Sequence, residues 1–237
     1  MTTYLLHGLL VTTLGLAALT IPTRQRGVAL ASGIAAAPMG LMDVWFVRDY
    51  WQPDHLIGAW FSIEGVLFSF GNGILLWLIA SWPLRHALPA ARPMRDFAQP
   101  MLRLGALALA VILALWSHGL GLSPLTLMQS TFAGLAVLLL LILARYPTLA
   151  GLAALGCLSF TALYAGELVV MSTYDPAYSE LWYPHLRMGL APLGFPLEEL
   201  IWAALYGAVW SLCVASSLHP TRRGFELKRT VSKSVAP

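Results

Sequence analysis

The chain has 237 residues, of which 58% are hydrophobic and only 11% charged, with a formal net charge of +3. A soluble domain carries about 25% charged residues, so a mean hydropathy of +0.73 leaves too little polarity to cover a water-facing surface. The small positive excess sits in loops and in the C-terminal tail, and needs no nucleic acid to explain it.

Apolar runs of about 20 residues match the hydrocarbon thickness of a bilayer. In chain order they are Tyr4–Ile21, Gly27–Phe46, Gly58–Trp82, Met101–Leu120, Pro124–Arg145, Thr148–Met171 and Leu190–Ser216. Each is expected to be helical, because an isolated strand cannot satisfy its backbone in lipid. The first run lacks a basic leader, and Arg24 and Arg26 follow it, so it reads as a retained helix rather than a signal peptide. Cys157 and Cys213 both fall inside runs and suggest ordinary packing, not a disulfide framework.

The basic residues divide unevenly. Arg24 and Arg26, then Arg85, Arg92, Arg95 and Arg103, then Arg145, and finally Arg222, Arg223, Lys228, Arg229 and Lys233 fall on one side of a seven-helix arrangement. Of the 14 Lys and Arg, only Arg48 and Arg187 fall opposite. The positive-inside rule therefore predicts an outside N-terminus and a cytoplasmic C-terminus, in a multi-pass protein of the cell membrane.

An internal repeat is legible. Tyr50–Gly73 and Trp182–Gly207 each open on a Tyr/Trp pair and pass a histidine, a leucine and a glycine. Each then places a glutamate near the start of an apolar helix. The alignment pairs His55 with His185, Glu64 with Glu198 and Gly73 with Gly207, and sets Asp43 beside Glu167. The predicted fold is thus all-α. It is one membrane domain of seven transmembrane helices, with repeat 1 at about 4–82, a linker helix at about 101–120, repeat 2 at about 124–216 and a basic tail at 217–237. With a single linker helix, the two three-helix repeats run parallel to one another.

Five carboxyls fall within predicted spans: Asp43, Glu64, Glu167, Glu198 and Glu199. An ionised acid at a helix centre costs about 2.5–3.5 kcal/mol on insertion scales, so an intramembrane acid is a functional candidate by default. Asp43 and Glu167 lie close to helix ends, where pairing with interfacial polar groups is an equal alternative. Glu198 and Glu199 are adjacent and point about 100 degrees apart on a helix, so one is expected to face a pocket and the other a polar neighbour.

Around the acids, Trp60, Phe61 and Phe68 share nearby faces with Glu64, and Trp202 and Tyr206 follow Glu198 by one and two turns. Aromatic faces attract cations, although packing or an interfacial belt would also explain each ring. His55 and His185 precede the acid-bearing helices, where they suit hydrogen bonding of the loop; no His or acidic spacing suggests a metal. His7 and His118, at the edges of runs, carry no specific signal. No glycine-rich dinucleotide or phosphate loop occurs, and the only lysines, Lys228 and Lys233, lie in the tail, which excludes a retinal Schiff base.

On Pro196-Leu197-Glu198-Glu199 and the flanking Trp182-Tyr183-Pro184-His185-Leu186, mirrored by Ser62-Ile63-Glu64-Gly65, the chain resembles the integral-membrane lycopene cyclase domain family in its fused two-repeat form. The second motif matches in full; the first keeps one acid and lacks the proline and the second acid. The resemblance implies a cofactor-free, non-redox reaction on lycopene or a related membrane isoprenoid. The terminal double bond is protonated, a ring closes through a carbocation, and a base removes a proton. It implies Glu198 as the acid and Glu64 as its opposing acid or base, with Glu199, Glu167 and Asp43 in support. Trp60, Phe61, Phe68, Trp202, Tyr206, His55 and His185 would line the substrate. The lipid bilayer is the other partner, and a second copy of the chain is an admissible one. Two further readings stand beside this one. One is a cyclase of another isoprenoid, such as a C50 carotenoid or a meroterpenoid. The other is a proton-coupled transporter or lipid-binding protein, which would need a continuous polar path through several helices.

Overall fold

The computed structural model of the protein describes residues 2–56, 62–85, 88, 125–183 and 189–218. Within them the chain forms seven α-helices: α1 (Thr3–Ala18), α2 (Arg26–Ala36), α3 (Asp43–Asp49), α4 (Ile63–Ser81), α5 (Leu127–Arg145), α6 (Ala150–Tyr174) and α7 (Leu197–Leu218). Five stretches are long and apolar enough to cross a membrane: Arg26–Val47, Ile63–Leu84, Leu127–Arg145, Pro147–Tyr174 and Leu197–Ser217. The apolar α1 is shorter, at 16 residues. The expected linker helix at 101–120 and the tail from 219 onward lie outside the described residues.

Among the described residues the second and the last expected helices differ most in their bounds, each for a local reason. The second is interrupted: α2 ends at Ala36, a 3-10 turn covers Ala37–Met42, and α3 resumes at Asp43. Pro38 sits in that turn, where its missing N–H and its ring cannot continue an α-helix. The expected start of the third at Gly58 lies outside the described residues; within them Ser62 accepts a hydrogen bond from Gly65 N at 2.8 Å and caps the helix that begins at Ile63. The last starts at Leu197 instead of Leu190. Before it, Leu193 and Gly194 adopt φ values of 61° and 83°, which end one turn before the next helix begins. A capping box between Thr126 and Gln129 opens α5.

Packing relies on small residues, as expected where lipid supplies no hydrophobic drive between helices. A Cβ on Gly71 would lie 2.5 Å from the carbonyl carbon of Val11, so α1 and α4 meet backbone to backbone. Gly73 packs on Gly33 in α2, and Gly207 packs on Gly156 in α6. The two glycines aligned by the sequence repeat therefore make like contacts in the two halves. Across the halves, Trp51 and Trp182 form an isolated antiparallel bridge, with Gln52 N donating to Leu181 O and Tyr183 N to Tyr50 O. Their indoles stack 6.3 Å apart. Polarity is inverted relative to a soluble core: Asn72, Ser81 and Ser211 are buried, whereas Leu140, Leu141 and Leu158 are more than 60% exposed.

Candidate functional site

The helix ends that carry the sequence acids converge on one cavity of about 580 Å³. Tyr4 and His7 of α1, Asp43 of α3, Gly65 and Phe68 of α4, Tyr164 of α6, and Glu199, Trp202 and Tyr206 of α7 all line it. Tyr178 and Trp182, in the segment after α6, close one side. Arg26, Arg85 and Arg145 cluster instead around the opposite helix ends. Arg26 donates to the terminal carbonyls Thr20 O and Ile21 O after α1, and Arg85 and Arg145 lie over the rings of Trp82 and Tyr146.

Two of the five sequence acids face this cavity. Asp43 Oδ2 accepts hydrogen bonds from the Tyr4 hydroxyl and, at 2.8 Å, from the Ser62 hydroxyl. Its second oxygen makes no hydrogen bond among the described residues. Glu199 uses both oxygens: Oε2 accepts from the Tyr164 hydroxyl at 2.5 Å and Oε1 from Trp182 Nε1 at 3.0 Å. Both acids are therefore held by a tyrosine, and each comes from a different half of the chain.

A glycine decides where Asp43 sits. A Cβ on Gly65 would lie 2.3 Å from Asp43 Oδ2 and 2.7 Å from Gly40 O. Gly65 aligns with Glu199 in the sequence repeat, so the position that carries the cavity acid in the second half is bare in the first. The Asp43 carboxylate occupies that vacated space.

The other acids lie elsewhere. Glu64 is fully buried outside the cavity wall, where Oε1 accepts from Leu56 N at 2.6 Å and Oε2 lies 3.7 Å from His55 Nδ1. This pair pins the loop after α3 onto the start of α4. Glu167 is also buried, and its Oε2 lies 3.3 Å from both His7 Nε2 and Asn72 Nδ2. Glu198 is buried on α7 but is not part of the cavity wall. Of the expected aromatic lining, Phe68, Trp202 and Tyr206 are in the wall, whereas Trp60, Phe61 and His185 lie outside the described residues.

The sequence reading gave no site role to Tyr4, His7, Tyr164, Tyr178 or Trp182, although it noted His7 at the edge of a run and Trp182 at the opening of the second repeat; all five line the cavity. A partial signal existed: Tyr4 and His7 are three apart and so share a face of α1, and Asn72 is a polar residue in the middle of an apolar helix. Aromatic rings form a continuous wall. Phe68 meets Tyr164 edge to face at 6.0 Å, Tyr164 meets Trp202 at 5.3 Å, and Trp202 stacks on Tyr206 at 5.1 Å. Val137 and Leu141 of α5 also line the cavity and are 56% and 63% exposed, so among the described residues it extends to the outer, apolar surface of α5.

No protein-family model, curated protein or solved structure matches this chain.

Proposed function

We propose that the protein is a membrane isoprenoid cyclase that closes a ring on an acyclic polyene end group by protonation, without a redox cofactor. One observation carries this reading: two carboxyls, Asp43 and Glu199, each held by a tyrosine, share one aromatic-walled cavity that reaches the lipid-facing side of α5. The resemblance of the two motif regions to the membrane lycopene cyclase family supports it independently, and makes lycopene the first substrate to test.

In this proposal Asp43 is the proton donor. Tyr4 and Ser62 both hydrogen-bond Oδ2, which leaves Oδ1 to carry a proton and stabilises the carboxylate left after transfer. The proton adds to the terminal double bond, and an internal double bond attacks the resulting cation. Glu199 is assigned a different task from the donor. With Tyr164 and Trp182 each bonded to one of its oxygens, its carboxyl is fixed in place, where as a carboxylate it would stabilise positive charge in the cavity. Phe68 and Trp202 also line the cavity, where a ring face turned to the cation would add a cation–π contribution of about 2 kcal/mol in a desolvated site.

The test is pigment analysis in a bacterium that makes lycopene. The wild-type chain is expected to yield shorter-wavelength cyclic carotenoids, and Asp43→Asn to abolish them. Glu199→Gln is expected to lower them by about 100-fold, the scale of losing one preorganised electrostatic contact. Unchanged lycopene from folded, membrane-inserted wild-type protein would reject lycopene cyclisation. Full cyclisation by Asp43→Asn would reject the donor assignment alone.

A further inference from the structure

Proton loss from the cyclised cation needs a base, and a second polar cluster borders the same cavity opposite no assigned role. Glu167 Oε2 lies 3.3 Å from Asn72 Nδ2 and 3.3 Å from His7 Nε2. Because Asn72 Nδ2 donates to Glu167 Oε2, the tautomer that suits this chain has His7 Nε2–H directed at Glu167 and Nδ1 as the acceptor. In that tautomer the Tyr178 hydroxyl, 2.8 Å from His7 Nδ1, donates to it. Tyr178, His7 and Asn72 line the cavity, whereas Glu167 lies behind them. The order is therefore cavity, tyrosine, histidine, buried carboxylate.

We infer that Tyr178 is the proton acceptor of the cyclisation, with His7 and Glu167 as the positioning residues that receive and stabilise its displaced proton. This inference rests on the cyclase reading above. In the step, a C–H bond next to the cationic carbon breaks and its electron pair becomes the new ring double bond. The proton bonds to the Tyr178 oxygen while the original hydroxyl proton moves to His7 Nδ1. The imidazolium so formed faces Glu167, which balances its charge. Return of that proton through Tyr178 to the cavity recharges Asp43, so the reaction is an isomerisation with no net proton consumed.

Three features fit this assignment. Burial, joined by Glu199 and Glu167, pushes the Tyr178 hydroxyl well above its ordinary pKa, so it rests as a donor to His7 and not as a phenolate. Asp175 holds the 3-10 turn that carries Tyr178: it accepts from Ala177 N at 3.1 Å and from the Thr3 hydroxyl at 2.6 Å. That second contact ties the turn to the helix bearing His7. Phe68 packs edge-on to the His7 ring at 5.0 Å and limits its rotation.

The test uses the full-length protein in detergent with lycopene in D2O, and reads both products and recovered substrate by mass spectrometry. If the donor delivers a deuteron and no base completes the reaction, the cation reverts and leaves deuterium in the acyclic lycopene. Tyr178→Phe keeps the ring packed against Trp182 and removes only the hydroxyl. It is expected to lower cyclic product by about 100-fold while deuterium in recovered lycopene rises. His7→Gln and Glu167→Gln are expected to shift the same partition between deuterated lycopene and cyclic product. Normal cyclisation by Tyr178→Phe overturns the relay. Equal loss of cyclisation and deuteration in a monodisperse Tyr178→Phe protein also overturns it, because the cluster would then act only on structure. A wild-type protein that neither cyclises nor deuterates lycopene instead overturns the cyclase reading, and the relay with it.

Discussion

Asp43 shows how a single missing side chain shapes this site. Its carboxylate fits only because position 65 has no Cβ, and the same glycine admits the close approach of Gly40. Gly65→Ala is expected to destabilise the protein by about 1–3 kcal/mol, the usual cost of overpacking a tight contact. Gly134, in α5, is the matching control: nothing lies within 4 Å of a Cβ built there. Gly134→Ala is expected to leave the protein as stable or stabilise it by up to about 1 kcal/mol through helix propensity. Thermal unfolding of both variants in detergent decides the matter; equal behaviour would mean that the Asp43 carboxylate is not confined as described. At this scale the sequence exposed the acids but not their partners. The five carboxyls stood out because charge is rare in such a chain. Tyr4 and Tyr178 did not, because a tyrosine near a helix end is as common in an interfacial belt as in a site, and Tyr164, in the middle of α6, reads as ordinary packing.

Helix–helix contacts place those residues. α7 reaches the cavity with Glu199 on the inner face because Gly207, two turns further on, lies flat against Gly156 and Phe160 of α6. A Cβ at 207 would fall 2.3 Å from Gly156 O. Gly207→Val is therefore expected to push α6 and α7 apart, lower the unfolding temperature and disturb the ring wall of Phe160, Tyr164, Trp202 and Tyr206. Tryptophan emission should shift in the folded variant; an unshifted spectrum with wild-type stability would contradict the packing. Pro38 acts in the opposite sense, interrupting one predicted helix so that Asp43 begins a new one and meets α4. Apolar length alone predicted a straight span there, because hydropathy counts residues and is blind to the ring of a proline.

For the molecule as a whole, the Trp51–Trp182 bridge is one of several contacts between the two halves, beside Glu167 with His7 and Asn72 and Trp210 Nε1 donating to Ser32 Oγ. Directly opposed residues of an antiparallel pair have Cα atoms about 4.5–5.5 Å apart, within the range a disulfide spans. Trp51→Cys with Trp182→Cys, in a chain with Cys157 and Cys213 replaced by serine, is expected to oxidise to an intramolecular disulfide. Proteolysis between the halves followed by non-reducing electrophoresis would reveal it. Fragments that separate without reductant would mean that the halves do not meet there. The bridge also joins two stretches aligned by the sequence repeat, Tyr50–Trp51 and Trp182–Tyr183, and both of its indoles line the cavity that Asp43 and Glu199 share.

Sequence alone determined that this chain is helical and suited to a membrane, because bilayer thickness acts on consecutive residues and a run of apolar side chains records it directly. It also singled out a few acids within apolar runs. Which acids share a cavity was decided only by the tertiary structure. Neighbouring positions such as Glu198 and Glu199 differ by about 100 degrees around the helix, and the rotation that turns one of them inward is set by glycine contacts with helices distant in the chain. The same holds for Tyr178, His7 and Glu167, which come together only when the first helix packs against the sixth.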